Sequence, residues 1–125
     1  MTVHGEPVLE VASSRCSVAL VRRHCVEACC RLGWAEEADT VELLVSELTT
    51  HAVLHQHASR VRVQVLDCGL RLRVEVSDDT PVRPAAGCPR DDDEGPGLLV
   101  VDALAVACGR RCTSRGTTSW FEVGL

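Results

Sequence analysis

Glu47, His51 and His55 follow one another at a spacing of four, so on a helix a carboxylate and two imidazoles stand along one ridge. A wheel centred on Leu44 and turned by about 100° per residue gathers Val41, Val45, Leu48 and Ala52 into an apolar stripe. Glu47 and His51 fall just outside one edge of that stripe, and His55 falls inside it. Polar groups at such a border are costly unless they face a cleft or find partners. Two readings are open. In one, hydrogen bonds satisfy the three groups and the imidazoles pack as flat fillers. In the other, His51 and His55 share a zinc ion across one helical turn. Against zinc, Ala52 stands where a metalloprotease helix needs its glutamate, and the chain has no Cys-x2-Cys pair. His57 and the cysteines could add ligands, but nothing fixes their distance.

A second group lies further on. Glu94-Gly95-Pro96-Gly97 runs straight into an apolar helical segment, Leu98 to Ala105. Glycines ahead of a helix N-terminus let backbone amides approach a phosphate, whose charge the helix dipole favours. The plainer reading is a glycine pair that accommodates positive φ in a loop. Position strengthens the first reading, because the pair closes a long stretch that opens just after Asp78, at the end of an apolar strand. An aspartate there can accept a hydrogen bond from an exocyclic amine such as that of adenine.

The patterning supplies elements to hold these groups. Residues 6–12 read as a short strand. Ser13 and Ser14 offer an N-cap to a helix with apolar positions at Val18, Val21, Cys25, Cys29 and Leu32, and Gly33 suits its C-terminal cap. A second helix spans about 36–56, opened by Glu36, Glu37 and Asp39, where the dipole favours anions. From Arg60 the period becomes two: 60–65 and 70–76 alternate across a turn at Asp67-Cys68-Gly69, a hairpin with one apolar and one arginine-rich face. Residues 79–96 hold four prolines and the acidic run Asp91-Asp92-Asp93-Glu94 without periodicity, which marks a lid or binding loop, or an insert. The acidic run itself reads as a solvated tip. A helix over 97–105 and strands near 110–113 and 117–123 follow. The expected class is α+β, a two-layer sandwich with a mostly antiparallel sheet covered on one face by helices, built as one domain over 1–125.

Composition limits the partners. The 125 residues are 46% hydrophobic and 25% charged, which is globular and enough for one domain. All thirteen basic residues are arginine, so no Schiff-base lysine or Walker-type lysine is available. A net charge of −5 and only three aromatic residues argue against a nucleic-acid surface. No apolar run approaches a membrane span. The first residues have neither a basic segment nor an apolar run, so the expectation is a cytoplasmic chain with reduced thiols, its eight cysteines serving mainly as small core residues.

Four segments in order carry a family resemblance. Ser46-Glu47-Leu48-Thr49-Thr50-His51-Ala52-Val53-Leu54-His55 resembles the first ATP-binding box of the histidine-kinase-like (GHKL) ATPases, in particular the small anti-sigma-factor serine kinases and their single-domain bacterial relatives. Val74-Glu75-Val76-Ser77-Asp78-Asp79-Thr80-Pro81 resembles their adenine-reading box, and Gly95-Pro96-Gly97-Leu98-Leu99-Val100-Val101-Asp102-Ala103-Leu104 their lid-end glycine box. Gly116-Thr117-Thr118-Ser119-Trp120-Phe121-Glu122 resembles their closing strand. The resemblance implies a Bergerat-type fold that holds ATP or ADP between the helix layer and a lid at 79–96. It implies Glu47 as general base toward a serine hydroxyl, Asp78 as reader of the adenine amine, and Thr118 near the base or an ordered water. Gly95, Gly97 and Leu98 would border the nucleotide. The implied partners are a sigma factor and a small anti-sigma-factor antagonist carrying the serine; a homodimer stays open.

The pattern breaks at the phosphate end. The Mg²⁺-binding asparagine of the family is His51 here, and imidazole is a poor ligand for a hard cation that wants oxygen. Pro96 replaces an arginine between the glycines, and Thr117 a basic residue before the closing-strand threonine. Two outcomes follow: a working serine kinase, or a nucleotide-binding module with weak or no transfer that works through its partners.

Overall fold

The computed structural model describes residues 4–54, 58–79 and 96–125. Two short strands, β1 (His4–Gly5) and β2 (Leu9–Ala12), precede helix α1 (Arg15–Leu32), a single 3₁₀ turn (Ala35–Glu37) and helix α2 (Ala38–Leu54). Strands β3 (Arg60–Asp67) and β4 (Arg71–Asp78) form the hairpin, and helix α3 (Pro96–Leu104) leads to β5 (Ala107–Thr113) and β6 (Gly116–Gly124). Among the described residues the sheet has six strands in the order β1-β3-β4-β6-β5, with β2 also pairing β3, and every pairing is antiparallel. The helices cover one face. The α+β two-layer architecture is therefore the one the patterning predicts.

Local chemistry sets the boundaries. The Ser17 hydroxyl accepts from the Ser14 amide at 2.9 Å and donates to the Ala12 carbonyl, which turns the chain from β2 into α1. Gly33 ends α1 at φ +83°, and the Trp34 amide reaches back to the Cys29 carbonyl at 2.8 Å. The single strand expected over 6–12 is instead two pieces. The Glu6 amide still reaches the Val65 carbonyl of β3 at 3.0 Å, but Pro7 has no amide for a ladder bond, so regular pairing breaks there and resumes one register step on at Leu9–Val63. Glu6 in that gap is held by Arg31 of α1 at 2.6 Å. The second helix begins at Ala38 rather than at 36, after the 3₁₀ turn.

The core lies between helices and sheet. Val21, Cys25 and Cys29 of α1 and Leu44, Val45 and Leu48 of α2 meet the inner rows Val61-Val63-Val65, Leu72-Val74-Val76 and Phe121-Val123, nearly all fully buried. Each such side chain contributes about 1.5–3 kcal/mol. Burial pushes the Cys29 thiol up to about 11 and raises that of Cys25 further, so neither is a reactive thiolate. The expectation of cysteine as core filler holds for these two. Cys16 and Cys30 stand exposed on α1, and no described cysteine is in a disulfide. Among the described residues no helix is long and apolar enough to cross a membrane.

The outer face of the sheet carries charge. Arg73 lies 3.9 Å over the Trp120 ring and bonds Glu75 and Glu122, while Arg71 shares Glu122 at 3.1 Å. Trp120 in turn lies across Gly109 of β5, where an added Cβ would come within 2.8 Å of the ring. At the edge, Arg110 of β5 points inward and is 6% exposed. An inward charge on an edge strand discourages pairing with another chain.

Candidate functional site

The end of β4 and the start of β6 lie side by side, and strand alternation decides what each offers. Leu72, Val74 and Val76 point into the core, so Asp78 continues the inner row. Opposite it in register stands Thr117, buried, with its hydroxyl 3.9 Å from Cys112 Sγ. Gly116 precedes Thr117 at φ +156°, and a Cβ there would sit 2.0 Å from the Asp78 carbonyl oxygen. Only glycine permits that approach.

Thr118, the residue expected near a bound base, lies on the other face of the sheet. Its hydroxyl is 2.9 Å from that of Ser77, its partner in register. The closing-strand threonine that shares a face with Asp78 is Thr117. The two adjacent threonines face opposite ways because a strand turns successive side chains over.

Asp79, to which the sequence pattern gives no role of its own, fastens this corner. Its carboxylate accepts the Ser59 amide at 2.8 Å, the Arg60 amide at 3.2 Å and the Ser59 hydroxyl. These bonds tie the residue after β4 to the chain entering β3. The Ser59 hydroxyl, and then the two amides, hold the Asp79 carboxyl below its usual range, although burial opposes this. The vicinal Asp78-Asp79 pair was the available signal: on a strand two adjacent carboxylates fall on opposite faces, and here the second of them serves structure. A depressed carboxyl contributes stability above its unfolded value, 3.8, and loses it as pH falls through the lower folded value. Asp79→Ala is expected to lower stability by about 1 kcal/mol at neutral pH and to flatten the loss of stability below about pH 4. Urea titrations at pH 7 and pH 3 check both.

Across the core, α2 presents Glu47 and His51, both half-buried, beside the buried Leu44, Leu48 and Ala52. The stripe deduced from the wheel is the buried face, widened by Thr49. The Thr49 hydroxyl is fully buried and has no hydrogen-bond partner among the described residues. Helix α2 packs against α3, β4 and β6, so the helix carrying Glu47 and the strands bearing Asp78 and Thr117 belong to one layer contact. Gly97 and Leu98 are the second and third residues of α3, and Pro96 opens it. At a first helical position the missing amide of proline costs no helical bond. Residues 80–95 of the lid expected over 79–96, Gly95 among them, and His55 and His57 lie outside the described residues.

The donor set fits a magnesium ion poorly. An inward carboxylate at a strand end, Asp78, is an acceptor for an exocyclic amine. Glu47 offers oxygen to a divalent cation, but the residue one turn on offers imidazole nitrogen. Among the described residues no three of His, Cys, Asp and Glu converge as a metal site.

No family model matches the sequence, and no curated protein matches it. In structure the chain is similar to the crystal structure of the RsbU and RsbW domains of Rv1364c from Mycobacterium tuberculosis, with a TM-score of 0.69 at 20% identity. The match covers 96% of this chain and 32% of that one, so the chain spans about a third of the neighbour's length. At that identity the likeness is one of fold.

Proposed function

We propose that this chain is a nucleotide-binding regulatory domain of the histidine-kinase-like type, which binds ATP or ADP and switches between a sigma factor and an anti-sigma-factor antagonist. The observation that carries this reading is the inward Asp78 at the end of β4, in register with the buried Thr117 and in contact, through its strand, with the helix bearing Glu47. Asp78 would accept from the adenine amine, with Thr117 rather than Thr118 beside it. Gly95, Gly97 and Leu98 would border the phosphates at the start of α3. Bound ATP would supply a phosphoryl group. Glu47 would take the proton of the acceptor serine hydroxyl as its oxygen becomes nucleophilic. Nucleotide state would bias which partner is held, to the extent that the two states bind it differently.

A specific residue favours a second reading, in which the domain binds nucleotide but transfers weakly or not at all. His51 replaces amide oxygen with imidazole at the position the resemblance gives to Mg²⁺, and Pro96 supplies no guanidinium for phosphoryl charge. Titration calorimetry with ATP and ADP, in Mg²⁺, Mn²⁺ and no metal, tests both readings. Absence of nucleotide binding under all three conditions overturns the proposal. His51→Asn is expected to strengthen Mg²⁺–ATP binding by about an order of magnitude while leaving metal-free binding unchanged. Equal Mg²⁺–ATP affinity before and after removes the metal argument.

A further inference from the structure

The outer face of the sheet, turned away from the candidate nucleotide corner, carries a second polar arrangement. Register places Arg62, Ser77, Thr118 and Arg111 in one row across β3, β4, β6 and β5. The two central hydroxyls are 2.9 Å apart. In such a pair one hydroxyl donates to the other, so the proton of the acceptor stays available to a ligand. The arginines flank the pair from the outer strands. Their Cα atoms are three strand spacings apart, about 14 Å, so two extended side chains can converge above the hydroxyls.

The charges around this row are unevenly committed. Glu75 is held by Arg73 at 2.7 Å, and Asp79 is occupied by Ser59 and Arg60. Glu10 is shared between Arg60 at 3.4 Å and Arg62 at 4.0 Å, and Arg62 remains 62% exposed. Arg111 is exposed and makes no hydrogen bond or ion pair among the described residues. Among the described residues the row thus offers the fork of Arg111, the fork of Arg62, held only at 4.0 Å by a Glu10 that Arg60 approaches more closely, and one hydroxyl proton.

We propose that the Arg62–Ser77–Thr118–Arg111 row is a binding site for a phosphomonoester dianion. A carboxylate has two oxygens and one charge, which a single fork satisfies. A phosphomonoester offers three terminal oxygens and close to two charges, matching two forks and a hydroxyl. The site is independent of the nucleotide reading, because it lies on the opposite face of the sheet.

The test is an NMR titration of the full isotope-labelled chain at constant ionic strength set with chloride. Inorganic phosphate is the first ligand, a short phosphoserine peptide the second, and acetate the control. The expected result is saturable movement of the Ser77, Thr118 and Arg111 amide signals with both phosphates and none with acetate. Arg62→Gln and Arg111→Gln, both exposed positions that leave the core intact, should each weaken binding about tenfold. Arg71→Gln on the same face should leave it unchanged. Tighter binding of the peptide assigns the site to a phosphorylated partner segment, and equal binding assigns it to a small phosphorylated molecule. Unsaturable drift, an equal response to acetate, or equal weakening by Arg71→Gln overturns the proposal.

Discussion

Gly116→Ala is expected to lower the stability of the fold by about 3 kcal/mol or more, far beyond the usual cost of an alanine at a strand end. The added methyl would lie 2.0 Å from the Asp78 carbonyl oxygen and 3.1 Å from the Asp78 carbonyl carbon and the Asp79 Cα. All three are backbone atoms, so no flexible side chain can yield. Relief must come from parting β4 and β6 where they end, at the Asp78–Thr117 pair. Gly33→Ala supplies the control. That glycine has φ +83° with nothing within 4 Å of a built Cβ, so its replacement should cost only the conformational term, about 1 kcal/mol. Urea denaturation separates them: the midpoint of the Gly116 variant should fall by several times the Gly33 shift at unchanged slope. Equal shifts would show that the strand ends relax freely, and the close approach would not be a constraint on the site.

The same corner explains what was legible beforehand. The hairpin was readable because Val61-Val63-Val65 and Leu72-Val74-Val76 alternate without interruption, and a one-residue slip would have put arginine in the core. Asp78 was readable because it extends that alternation. The identity of the threonine beside it was not. Thr117 and Thr118 are chemically alike and adjacent, so each face of β6 receives one, and only pairing with β4 decides which meets Asp78. The doublet Asp78-Asp79 posed the same ambiguity, resolved by the Ser59 and Arg60 contacts, which lie 20 and 19 residues away in sequence. Thr49 was missed for another reason. The wheel ranks residues by polarity, and a hydroxyl buried without a partner among the described residues contradicts the rule that polar atoms face water or a partner. The row on the outer face was invisible in sequence, since its four members come from four strands.

Glu47→Ala is expected to abolish ATP-dependent phosphorylation of a partner serine, a loss of about 10²- to 10⁴-fold, while nucleotide binding and folding persist. The physical basis is division of labour. Asp78 and the start of α3 would hold the nucleotide, so removing a carboxylate on α2 leaves their contacts alone. Glu47 is half-buried at the border of the helix rather than in the core, beside Leu44 and Leu48, which keep the helix seated. Truncation there should cost stability only within about 0.5 kcal/mol. Phosphorylation assays with radiolabelled ATP, run beside calorimetry on the same preparations, distinguish the outcomes. Transfer by the wild-type chain that vanishes in the variant at equal ATP affinity supports the base assignment. Transfer that persists in the variant removes Glu47 from that role. A wild-type chain that binds ATP yet transfers nothing to any partner serine leaves the silent module. The phosphorylation assay on His51→Asn then decides whether the imidazole is the cause: recovered transfer in Mg²⁺ places the defect at the metal, and continued silence places it elsewhere at the phosphate end.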